Sequence, residues 1–210
     1  MKERNYWIDF LRALSMLLIV VQHYVVWGIK QSDLAKFHIN SAYDLCDYIS
    51  MEALYLLSCI GVNCFIMITG YFLIDRFEYR WKSLIGLWST TAFYSIILYA
   101  ISIGFGTEFN KFNFIGCFLP VWSDQYWFIT KYIGLMLLAP FLSILATNIN
   151  KTSYRVLLFI LFCMSFMVPY GNIYAGGKSI MWMSFVYLTA GYLRLFGINT
   201  TIKNTSNQYP

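Results

Sequence analysis

This sequence of 210 residues predicts an all-α, polytopic integral membrane bundle of about six transmembrane helices, and three observations carry that expectation. The composition is 59% hydrophobic and 12% charged, outside the range of soluble globular domains. Apolar runs recur along the chain, each close to the ~20 residues that cross a bilayer as one helix. Lysine and arginine concentrate in alternate connecting segments, the pattern that orients membrane helices. Aromatic residues at 20% suit interfacial belts of Trp and Tyr.

The first run, Tyr6 to Trp27, is apolar except chiefly for Asp9, Arg12, Gln22 and His23. An arginine at the centre of a spanning helix costs roughly 2.5–3.5 kcal/mol, so polar residues kept there face a partner, a cavity or a substrate. Arg12 and His23 are eleven residues apart. That spacing is about three helical turns, which points both the same way roughly 16 Å apart along the axis. Asp9 precedes Arg12 by one turn and is placed to pair with it. The alternative for these residues is an arginine snorkelling to the interface and a histidine bonded within the bundle. The run is too long for a signal-peptide core and has no small-residue cleavage site after it, so it should stay in the membrane.

A loop from Gly28 to about Ser50 is expected next, followed by a second run from Glu52 to Ile74 with Gly61, Asn63 and Gly70 inside it. The short loop after it carries Arg76, Arg80 and Lys82. A third run spans Leu84 to Phe105. The segment FNFIGCFLPVW is too short to span and reads as interfacial or re-entrant. The remaining runs are Trp127 to Thr147, with Lys131 near its start, then Tyr154 to Tyr170 and Ile180 to Phe196. Residues 1–197 thus read as one transmembrane domain and residues 198–210 as a polar tail.

With the N-terminus inside, Lys2, Arg4, Arg76, Arg80, Lys82, Lys151, Arg155, Arg194 and Lys203 fall on the cytoplasmic side. Lys30, Lys36, Lys111 and Lys178 fall outside, which places both termini in the cytoplasm. The net charge of +5 is spread over short loops and does not form the clustered basic face of a nucleic-acid binder. The five cysteines show no CxxC spacing, and a Cys46–Cys117 disulfide is the one pairing the topology leaves open. His23 and His38 are the only histidines, and neither has a second ligand at metal-binding spacing. Gly177-Lys178-Ser179 fails as a phosphate loop, because position 172, where that motif needs glycine, is Asn172.

Four blocks, taken in order, resemble the membrane acyltransferase-3 family. Arg12, ten intervening residues and His23 resemble its Arg-x10-His signature, and GVNCFIMITGYFLI from Gly61 resembles its second-helix block. Trp127, Tyr132, Leu135 and Pro140 match its Trp-Phe…Tyr-Ile…Pro helix, and Gly177, Ser179, Trp182, Tyr187 and Gly191 match a further segment. For the glycines of the second block, close helix packing is an equally good reading.

The resemblance implies a membrane O-acyltransferase moving an acyl group, usually acetyl, from acyl-CoA to a sugar hydroxyl of a cell-surface or exported polysaccharide, at the bacterial cytoplasmic membrane. It implies His23 as general base and Arg12 as the residue that positions the donor or steadies charge on the thioester oxygen. Arg76, Arg80 and Lys82 would meet the phosphates of the acyl-CoA, although a purely topological role fits them as well. Acetyl-CoA enters as donor substrate, with no bound cofactor and no metal expected, and the partners are acyl-CoA, a carbohydrate acceptor and the bilayer. The family has about ten spanning helices against about six here by hydropathy, so the match covers the N-terminal portion of the family fold. An inactive truncated acyltransferase, or a transporter or scaffold without catalysis, is the alternative; no internal repeat of the kind transporters carry is visible.

Overall fold

The structure, a computed structural model, describes residues 6–30, 42–119, 126–167 and 179–197. Among them every regular element is helical: α1 Tyr6–His23, α2 Ala42–Leu73, α3 Trp81–Gly104, α4 Lys111–Phe118, α5 Trp127–Asn148, α6 Lys151–Met167 and α7 Ile180–Phe196. A π-helical stretch, Tyr24–Lys30, continues α1 directly. The chain divides into two compact units, Met1–Tyr71 and Phe72–Pro210.

Four helical stretches are long and apolar enough to cross a membrane: Tyr6–Ile29, Leu45–Leu73, Trp81–Gly104 and Trp127–Asn148. Helices α6 and α7, at 17 residues each, stand at the ~17-residue lower limit for a span. The protein is therefore an all-α, multi-pass membrane protein. Its surface agrees: Phe93, Tyr94, Leu98 and Ile101 of α3 are exposed, as side chains facing lipid should be.

In the first unit, α2 begins at Ala42, earlier than its apolar run, so part of the expected loop is helix. Asp44, Asp47 and Glu52 hid this from hydropathy, because a helix continues past the bilayer wherever its backbone bonds are made. Gly61 is where α1 and α2 meet. A Cβ there would lie 2.8 Å from both Leu18 Cβ and the Ser15 carbonyl oxygen, so only glycine permits this approach.

The second unit is built on α7, which packs against both α5 and α6, while α3 packs on α4 and α5. Its core holds Leu135, Tyr154, Met183, Tyr187 and Leu188, each fully buried. Helix α3 ends in a Schellman turn: Gly106, at φ 98°, donates to the Ile103 carbonyl and Thr107 to that of Ser102. Asn110 then caps α4, its Oδ1 accepting from the Phe112 N–H at 2.8 Å. The Tyr99 hydroxyl holds the Asn110 backbone from α3, accepting from its N–H at 2.8 Å and donating to its carbonyl at 3.0 Å. The short α4 agrees with the non-spanning segment expected there. Cys46 and Cys117 are both free thiols.

Candidate active site

Helix α1 is α-helical from Tyr6 through His23, so the register that relates Arg12 to His23 is unbroken. At ~100° per residue the two project within about 20° of one another. Ser15, Ile19 and Gln22 lie roughly 20–80° to one side of Arg12, and Asp9 about 60° to the other. Ser15 and Ile19 are buried, and Gln22 Nε2 donates to Cys59 Sγ of α2 at 3.3 Å. The polar seam thus runs along the border of the α1–α2 contact, not through its middle. The Gln22 Oε1 is buried and has no hydrogen-bond partner among the described residues.

Arg12 Nη1 lies 3.6 Å from Asp9 Oδ1, the ion pair that the one-turn spacing predicts. The Arg12 side chain is about half exposed. His23 Nδ1 is 2.8 Å from the Ile19 carbonyl oxygen. A carbonyl can only accept, so Nδ1 carries the hydrogen and the neutral ring keeps its lone pair on Nε2. The π-helical stretch begins at the next residue, Tyr24; π-helix is rare and is frequently found at functional sites.

Arg76, Arg80 and Lys82 belong to the second unit, in and just after the loop that leaves α2. Their side chains are exposed. The loop itself is tightly held. Ile74 is fully buried, Leu73 is buried, and the Leu73 carbonyl accepts from Ser143 Oγ of α5 at 3.2 Å. Ser143 Oγ is also 3.1 Å from the Tyr187 hydroxyl of α7. Asp75 Oδ2 lies 3.3 Å from Arg194 Nη2 at the end of α7. Tyr79 stacks on Trp81 with ring centroids 5.2 Å apart and meets Phe141 edge-on at 6.3 Å.

A family model described as an acyltransferase domain matches residues 5–206. The chain belongs to the acyltransferase-3 family. Comparison with curated proteins and with solved structures returned no match.

Several acyltransferase-3 motif positions now have structural roles. Ser179 caps α7, its Oγ accepting from the Trp182 N–H at 3.1 Å. Tyr187 is the partner of Ser143, and Gly191 makes room for Ile74 and for the Tyr154 hydroxyl, which would be 3.0 Å from an added Cβ. Tyr154 in turn donates to the Leu188 carbonyl at 2.9 Å. Sequence reasoning missed Asp75 and Ser143 altogether and read Arg194 only as a charge on the cytoplasmic side. Asp75 and Arg194 are 119 residues apart, a separation at which spacing carries no signal. Among the described residues no group of three or more His, Cys, Asp or Glu side chains is placed to hold a metal ion.

Proposed function

We propose that this membrane acyltransferase carries an acyl group, acetyl in the first instance, from acyl-CoA to a sugar hydroxyl of a cell-surface or exported polysaccharide. The reading rests on family membership together with one observation, the ring of exposed His23, whose Nδ1 is tied to Ile19 so that Nε2 is the nitrogen left to act as a base. In the proposed reaction Nε2 takes the proton of the acceptor hydroxyl, and that oxygen attacks the thioester carbonyl carbon. Arg12, about three turns away along α1, holds the donor arm at a distance from the reacting carbon. The carbon–sulfur bond breaks as the carbonyl re-forms. The imidazolium returns its proton to the departing thiolate, giving the ester and free CoA.

Arg76, Arg80 and Lys82 are proposed to receive the phosphates of the donor from the cytoplasmic side, where arginine offers paired donors to phosphate oxygens. Support for that side comes from the second unit. Arg155 Nε donates to the Tyr192 hydroxyl at 2.7 Å, two residues from Arg194, which pairs with Asp75. Arg155 and Arg194, two of the residues assigned inside by charge alternation, therefore lie at one end of that unit, with Asp75 beside Arg76. Both termini are proposed to be cytoplasmic, in a bacterial cytoplasmic membrane.

The test is transfer from radiolabelled acetyl-CoA to a polysaccharide fraction by the purified protein, compared with its His23→Ala variant. Label transfer that vanishes in the variant supports the proposal. Equal transfer by a folded His23→Ala protein would remove His23 from the mechanism.

A further inference from the structure

The basic loop is anchored more firmly than a topological linker needs to be. Its first residues are fixed from three directions within the second unit. Ser143 of α5 takes the Leu73 carbonyl, one of the α2 end groups left without a helical partner. Ile74 sits fully buried against Gly191 of α7, where any added Cβ would collide with Ile74 Cγ1 and Cδ1. Asp75 meets Arg194 one turn further along α7. Arg76 follows immediately, its N–H closing a turn on the Leu73 carbonyl at 2.9 Å.

The single acid in this anchor also has an electrostatic consequence. Asp75 is paired with Arg194, while Arg76, Glu78, Arg80 and Lys82 are exposed and the three cations form no ion pair with another described residue. A second free carboxylate in this loop, beside that of Glu78, would compete further with an anionic ligand for the cations. Binding to a preformed cationic surface avoids the ordering cost that a loose loop would incur.

We infer that Asp75, Ser143, Gly191 and Arg194 are positioning residues that latch the Arg76–Lys82 loop in the form that receives the phosphates of the acyl donor. The inference rests on the proposed role of that loop as the donor phosphate site. None of the four is a catalytic residue; they act through the cations they hold in place.

The experiment uses the full chain in detergent, with two readouts. One is the rate of tryptic cleavage after Arg76, Arg80 and Lys82, with cleavage after Lys111 in α4 as the control for general unfolding. The other is the affinity for coenzyme A by calorimetry. Asp75→Ala and Arg194→Ala should each speed cleavage in the loop several-fold, leave Lys111 unchanged, and weaken coenzyme A binding roughly 2- to 5-fold, the scale of a partly exposed ion pair. Arg194→Lys, which keeps the charge, should restore most of both. Loop cleavage at the parent rate in both alanine variants would overturn the latch. Faster loop cleavage with unchanged coenzyme A affinity would overturn the positioning role. An Arg76→Ala/Arg80→Ala/Lys82→Ala variant separates the two ideas: if it also binds coenzyme A like the parent, the failure lies in the donor-site reading.

Discussion

A histidine whose Nδ1 is tied to its own helix has one nitrogen left for chemistry, and in His23 that nitrogen is Nε2. The tether also limits ring rotation, so an attacking hydroxyl would meet a base already oriented. His23→Ala should therefore cost roughly 10²–10⁴-fold in acyl transfer while expression and membrane insertion stay near the parent level. Arg12→Lys should also be more than a mild change, since lysine keeps the charge and loses the planar fork. Steady-state kinetics should show weakened use of the donor in Arg12→Lys and a larger loss in Arg12→Ala. If these two residues only supported folding, both substitutions would lower folded yield, and whatever folded would keep the parent specific activity.

Between α1 and α2, Gly61 leaves no room for a side chain. Its Cα faces the backbone of α1 at Ser15, so a side chain there forces the two helices apart along the border on which Arg12 and His23 sit. Gly61→Val should destabilise the protein by roughly 1–3 kcal/mol, the usual cost of overpacking, read as a lower melting temperature in detergent. Wild-type stability in that variant would mean that the close approach of α1 and α2 is not needed. Helix α4 depends on a different device. It is only 8 residues long, and Asn110 is both its cap and its link to Tyr99. Asn110→Ala should loosen its first turn by about 1 kcal/mol, visible as faster amide exchange at Phe112 and Asn113. Unchanged exchange there would show that packing of Phe114 and Phe118 holds α4 without its cap.

At the scale of the whole molecule, the charge pattern makes a topological statement that labelling can check. Single cysteines placed at Arg80 and Arg155, in a background lacking the native thiols, should react only with reagent reaching the cytoplasmic face. One placed at Lys111 should react from the opposite face. Labelling of Lys111 from the cytoplasmic side alone would contradict the orientation. Hydropathy located the helices because lipid leaves a spanning segment no other way to satisfy its backbone. It placed α5 and α7 almost to the residue and marked the α4 segment as too short to span. It misplaced the start of α2, since helical hydrogen bonding does not stop where apolar composition does.

The primary structure by itself determined the membrane, the helices and the pairing of Arg12 with His23 along one face. Each of these follows from composition or from a fixed helical repeat within a single segment. Whether His23 turns its Nδ1 back to the Ile19 carbonyl is a choice among rotamers that the sequence alone leaves open. The contacts that hold the basic loop could come only from the tertiary structure. Ser143 reaching Leu73, Gly191 admitting Ile74 and Arg194 meeting Asp75 each join residues far apart in the chain. Such pairings carry no periodicity, because nothing but the packing of α5 and α7 sets the distance between them.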